Sequence, residues 1–211
     1  MPARAVRRRT DAVVVLVGLA IVVPCGLVAR SGTVGPIELA IFHAINRLPD
    51  ALSPAMRAAQ LLGILVVGPI VAAISAVLRL WRLALACLLV TAGKLVAERI
   101  VWHLVQRSRP GTTILDAIVR GDTPRSGASF VSGHVVLLTG LAWVVTPYVR
   151  GRWRILPWAV VALVSFARIY LGAHATLDVV GGVGLGLIVG GAASLIVGVA
   201  AEAPGSDAHV G

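Results

Sequence analysis

The first thirty residues, MPARAVRRRTDAVVVLVGLAIVVPCGLVAR (1–30), set a basic cluster in front of a run of apolar side chains. A helix rises 1.5 Å per residue, so about 20 such residues cross the hydrocarbon core of a bilayer. The run is long for a cleaved secretory leader and no clear small-x-small cleavage site follows, so it reads as a retained first span. Five further apolar runs follow it. With 12–30 they make six expected spans: 60–79, 83–105, 132–149, 154–172 and 177–200. The expected fold is all-α: a polytopic membrane helical bundle of six transmembrane helices over 12–200. A cytoplasmic N-terminus (1–11) precedes it, and a tail over 201–211 reads as disordered.

Composition agrees. The chain of 211 residues is 58% hydrophobic and 13% charged, where a soluble domain carries about a quarter charged residues. The net charge of +10 comes almost wholly from arginine, Lys94 being the single lysine. The arginines form short clusters between apolar runs, which suits topology and lipid head groups rather than nucleic acid. The stretch 31–59 is too polar and interrupted to cross. Its Ile37, Ile41, Phe42 and Ile45 follow helical spacing, so an amphipathic segment lying on the membrane is expected after the first span. Cys25 and Cys87 fall where a disulfide is not expected, and no metal-ligand spacing, nucleotide loop or internal repeat is visible.

Arg4, Arg7, Arg8 and Arg9, then Arg79 and Arg82, then Arg150, Arg152 and Arg154 all fall on one side of a six-span layout. The positive-inside rule makes that side cytoplasmic. The opposite face then collects Arg107, Arg109, Ser132, His134, Arg168, His174 and Asp178, from three separate stretches. In WHLVQRSRPG (102–111), Arg107 and Arg109 end a span ahead of Pro110 and Gly111. They read as interfacial anchors or as guanidinium clamps for a phosphate. In SFVSGHVVLL (129–138), Ser132, Gly133 and His134 open a helix whose free N–H groups and positive end receive anions; an ordinary serine cap is the plainer reading. In RIYLGAHATLD (168–178), Asp178 follows His174 at i+4, the spacing by which a carboxylate fixes an imidazole tautomer. Asp178 heads an uncharged span and is costly unpaired. Together these residues form a phosphoryl-transfer set: arginines neutralise oxygens, one histidine attacks phosphorus, the other protonates the leaving oxygen.

The set resembles the type 2 phosphatidic acid phosphatase family, whose motifs K-x6-R-P, P-S-G-H and S-R-x5-H-x3-D occur in that order. Here they read WHLVQRSRP (102–110), VSGH (131–134) and ARIYLGAHATLD (167–178). The resemblance implies His174 as the nucleophile oriented by Asp178, and His134 as general acid and later base. It implies Arg109, Arg168, Ser132 and the Gly133 backbone as the phosphate cradle, with no metal and no cofactor. Three positions depart from it: Trp102 replaces the lysine, Val131 the proline and Ala167 the serine. The lost lysine removes a phosphate-binding charge, for which Arg107 or His103 is a candidate substitute. Lys94 lies about 12 Å along the helix from position 102 and four residues before Glu98, and so reads as half of a structural ion pair.

The expected function is therefore a metal-independent lipid phosphatase, multi-pass in a bacterial cytoplasmic membrane, with its site on the extracytoplasmic face. A polyprenyl diphosphate or polyprenyl-linked phosphate is the favoured substrate, with phosphatidic acid or phosphatidylglycerol phosphate next. Membrane lipids are the expected partners, and nucleic acid is not. Trp102 motivates one alternative, a lipid-phosphate-binding protein of weak or no turnover. Intramembrane Lys94 and Glu98 motivate another, a channel or transporter, although no paired discontinuous helices are evident.

Overall fold

The computed structural model describes residues 5–200. Apart from a two-residue antiparallel ladder between Ala5–Val6 and Val199–Ala200, its regular elements are helical. In chain order they are α1 (Arg9–Ala29), α2 (Pro36–Asn46), α3 (Ser53–Gln60), α4 (Val67–Val77) and α5 (Trp81–Leu104). The short α6 (Pro110–Thr113) follows, then α7 (Gly133–Val145), α8 (Ile155–Tyr170) and α9 (Thr176–Val197), with 3-10 turns at several helix ends. The expected tail, 201–211, lies outside the described residues, as do residues 1–4 of the expected N-terminal stretch.

Among the described residues, three helical segments are long and apolar enough to cross a membrane: Arg9–Ala29, Gly151–Tyr170 and Thr176–Val197. A fourth arises if Asp50–Gly63 and Val67–Val77, which meet at a 60° bend, form one broken span. The six expected runs thus each hold a helix, but not six uniform ones. Helix α5 is long yet carries Arg82, Lys94, Glu98 and Arg99, and Gly133–Tyr148 is short. Leu16, Leu27, Val96, Ile155 and Ile196 all stand exposed on the outside of the bundle, a surface that suits lipid and not water. This is an integral membrane protein.

Helix α9 runs through the middle. Its glycines let backbones approach closely: a Cβ at Gly18 of α1 would lie 2.5 Å from the Gly184 carbonyl oxygen, and one at Gly190 would lie 2.9 Å from that of Gly140 in α7. Between lipid-bathed helices such small-residue contacts replace the hydrophobic drive that water supplies elsewhere. A core of Leu83, Cys87, Val90, Leu137, Leu141 and Ala193 joins α5, α7 and α9 at one end. Both cysteines are buried and free. At that same end Arg7 donates to the Leu195 carbonyl and Arg82 to that of Val197, while Asp11 accepts from Arg8 and the Trp143 indole.

Two expectations are corrected at the other end. The second run, 60–79, is not a continuous helix. A 3-10 turn over Leu61–Gly63 precedes the bend, Ile64 is extended, and only Val67–Val77 is regular. Gly63 packs against His134 of α7, where a Cβ would come within 2.9 Å, and Pro69 in the first turn of α4 has no N–H for the Leu65 carbonyl, which suits a break before it. The segment 31–59 does more than lie on the membrane. Helix α2 exposes Ile37 and Ile41 but buries Phe42 completely against Ile114, Val135, Ile169 and Val179. Asn46, at its end, donates to the carbonyls of Ile118 and Tyr170 and accepts from the Ile118 N–H.

Candidate active site

The C-terminal ends of α3, α5 and α8, the loop before α7, the start of α7 and the turn before α9 surround a cavity of about 370 Å³. Arg109, Gly133, His134, Arg168 and His174 all line it, so side chains from the three sequence stretches face one space. Gln60, Lys94, Glu98 and Trp102 share the wall, and Asp122, Thr123 and Pro124 make the loop one side of the site. A volume of this order lies at the low end of the range of ligand sites.

Each side chain has a local cause for its position. Arg168 ends α8 and donates to the Gln60 side chain at 2.5 Å. The chain then turns through Gly172 at φ +72°, a left-handed conformation that favours glycine, and a Cβ there would also meet the Ile118 carbonyl at 2.5 Å. That turn carries His174 back beside Arg168, whose carbonyl accepts from the N–H groups of Ala173 and His174. Arg109 donates to the Ala173 carbonyl at 3.0 Å, tying the first stretch to the third. The Nε of Arg109, the Nε of Arg168, the Trp102 indole N–H and the Thr123 hydroxyl are buried without a protein partner. Four buried donors around one cavity call for an acceptor, and an anion is the acceptor that suits two guanidinium groups.

Asp178 lies behind His174, not in the cavity. One oxygen accepts from Arg107 at 3.1 Å; the other accepts from the Ala175 N–H at 2.9 Å and from the Ser129 hydroxyl. His174 Nδ1 stands 3.7 Å from that second oxygen, an ion-pair distance too long for a hydrogen bond. Asp178 therefore both caps α9 and backs the imidazole. Burial pushes the His174 pKa down to about 4, opposed by Asp178 and assisted by the nearby Arg168 charge. The imidazole is neutral at pH 7.

Two expected phosphate ligands are placed elsewhere. Arg107, expected with Arg109 at the phosphate, is fully buried and gripped by Glu38 at 2.6 and 3.0 Å as well as by Asp178. Burial alone lowers its pKa, but those carboxylates hold it above the ordinary value. Glu38 also accepts from the Leu177 N–H, so a carboxylate from α2 consumes the guanidinium and steadies α9. Ser132 is buried too. Its N–H donates to the Asp178 carbonyl, and its hydroxyl has no partner and does not line the cavity. His103, the other candidate for the missing lysine, is exposed and absent from the wall. Gln60, Glu38 and the cavity-facing Lys94 and Glu98 escaped the sequence reading of the site. Only the i+4 spacing of the last two marked them. Among the described residues no three His, Cys, Asp or Glu side chains gather as a metal-binding set.

The profile of the PAP2 superfamily matches residues 79–201, more than half of the chain. The chain belongs to the PAP2 superfamily. Its PAP2 region holds the cavity walls from α5, α7, α8 and the turn before α9; Gln60, Leu61 and Ile64 come from before it. A lipid A 4'-phosphatase of Porphyromonas gingivalis is 42% identical over 64 residues. That match covers 29% of this chain and about a quarter, 26%, of the relative's length. Two solved structures share the fold. LpxE of Aquifex aeolicus superposes with a TM-score of 0.65 at 22% identity, covering 75% of this chain and 95% of that one. A transmembrane PAP2-type phosphatidylglycerolphosphate phosphatase of Bacillus subtilis gives 0.66 at 20% identity, covering 89% and 95%.

Proposed function

We propose that this PAP2 protein is a lipid phosphate phosphatase working through a phosphohistidine, without a metal, at the extracytoplasmic face of a bacterial cytoplasmic membrane. The observation that carries the reading is the single cavity lined by His134, His174, Arg109 and Arg168. His174 turns Nδ1 toward Asp178, which leaves Nε2 as the attacking nitrogen. Attack forms an N–P bond as the P–O bond to the lipid breaks, and His134 gives a proton to the departing lipid oxygen. His134, now neutral, takes a proton from water, whose oxygen displaces the histidine nitrogen and releases inorganic phosphate. Arg109, Arg168 and the backbone at Gly133 hold the equatorial oxygens as charge redistributes. Asp178 steadies the imidazole, and Arg107 and Ser129 steady Asp178.

Six membrane crossings remain the favoured layout, with the bent pair as the second and the charged α5 and short α7 crossing inside the bundle. The basic end of the molecule then faces the cytoplasm and the cavity faces outward. A polyprenyl diphosphate or polyprenyl-linked phosphate stays the first substrate choice, because that carrier chemistry occurs at the outer face. Phosphatidic acid and phosphatidylglycerol phosphate are kept, and the name of one relative adds lipid A to the panel. Such a panel, given to purified protein in EDTA, tests the reading. Release of phosphate that His174→Ala abolishes supports it; release that needs a divalent metal, or that survives His174→Ala, overturns the mechanism. Trp102 in the cavity wall supports a second reading, a protein that binds lipid phosphate without turning it over. Tight binding with no release from any lipid, and release restored by Trp102→Lys, selects that one.

A further inference from the structure

Lys94, Glu98 and Trp102 recur at every fourth residue of α5, and all three face the cavity. Trp102 brings a neutral N–H donor to the position where the motif has a lysine. The chain's single lysine stands two turns deeper on the same stripe. Its ammonium nevertheless reaches the start of α7. Lys94 Nζ lies 2.5 Å from Glu98 Oε2 and would lie 3.0 Å from a Cβ built on Gly133. Glu98 Oε1 is nearer still, at 2.0 Å from that Cβ position, so a side chain at 133 would push the Glu98 carboxylate aside.

An ion pair of purely structural value has little reason to be here. Partly buried pairs contribute little net stability, because desolvation offsets the attraction. This one is turned into a cavity that also holds two arginines and two histidines, against the first residue of a helix. The charge balance points the same way. Among the lining residues Lys94, Arg109 and Arg168 face Glu98 on the floor, while Asp122 is fully solvated at the rim and paired with Arg57. The floor therefore carries two net positive charges, which match the roughly −1.5 to −2 of a phosphate monoester near neutral pH. Without Lys94 only one remains.

Building on the phosphatase reading, we propose that Lys94 is the third cationic ligand of the phosphoryl group. Glu98 is its positioning residue, holding the ammonium at Gly133 until the anion draws it over. The lost motif charge is thus supplied from two turns deeper along α5, and the Trp102 indole N–H adds a neutral hydrogen bond above it.

The test uses the full chain in detergent micelles, reading inorganic phosphate binding by calorimetry, phosphate release from the lipid panel, and thermal unfolding. Lys94→Met raises the phosphate dissociation constant roughly tenfold or more, the scale of one lost charge-assisted hydrogen bond. Lys94→Arg keeps most of the affinity, and Glu98→Gln tightens it. Trp102→Lys added to Lys94→Met recovers part of the loss. A folded Lys94→Met protein that binds phosphate as the wild type does overturns the inference. Should Lys94→Met not fold, unchanged phosphate binding by Glu98→Gln overturns it instead. Lys94-dependent binding with no release from any lipid leaves the ligand in place and overturns the phosphatase reading. No phosphate binding by the wild type overturns both.

Discussion

His174 is a buried imidazole with a carboxylate behind it and guanidinium groups beside it, and its chemistry follows from that setting. The proposed attack needs a neutral His174, so kcat/KM is expected to rise with pH as His174 loses its proton. With the pKa pressed to about 4, the acid limb of a bell-shaped profile falls near pH 4 rather than near 6.5. A pH series with a soluble phosphomonoester checks this, and an acid limb at 6.5 contradicts the buried setting. The same shift acts on stability. The unfolded chain takes up the proton near pH 6.5, while the folded one resists until about 4. The His174 contribution is therefore present above 6.5 and lost as pH falls toward 4, which unfolding midpoints of wild type and His174→Gln compare directly. Arg107 behaves differently. Removing it strands Glu38 and Asp178 as buried carboxylates, and Arg107→Ala should cost about 3–5 kcal/mol in unfolding experiments. A phosphate ligand would instead lose affinity with little change in stability.

Among the elements, α2 and α9 carry the consequences. Glu38 reaches from α2 to Arg107 and to the Leu177 N–H, so an amphipathic helix is wired to the residues behind His174. Glu38→Gln is expected to lower kcat severalfold with little effect on KM, because it shifts the support of Asp178 and touches no substrate; a change in KM alone contradicts that. The α1–α9 contact depends on Gly18 and Gly184, and Gly18→Val should destabilise by about 1–3 kcal/mol or prevent folding, as overpacking does. The sequence made some of this legible. The apolar runs marked where the helices fall, and the order of motifs marked His134, His174, Arg109 and Arg168 as neighbours. It could not show how deep α7 begins relative to α5. Gly133 lies level with Glu98, so Lys94 enters the cavity that a count along one helix had denied it. Nor could it show that Arg107 is spoken for, since Glu38 is 69 residues away on a segment read as surface-lying. The broken second run is different: Pro69 has no N–H for the Leu65 carbonyl, so the run 60–79 carries its own break signal just after the bend.

At the scale of the whole molecule, the basic connections and the cavity occupy opposite ends of the bundle. Single cysteines at Asp122 and Arg152, in a chain whose Cys25 and Cys87 are replaced, report the orientation. An impermeant thiol reagent applied to intact cells should label position 122 and spare 152, and the reverse pattern contradicts an outward-facing site. The most direct measurement asks whether the converging segments act on one phosphorus atom. Rapid quenching of turnover on a lipid phosphate, followed by mass spectrometry under base-stable conditions, should find phosphate on the ring of His174 and none in His174→Ala. Phosphate on any other residue, or undiminished hydrolysis by His174→Ala, contradicts the shared site.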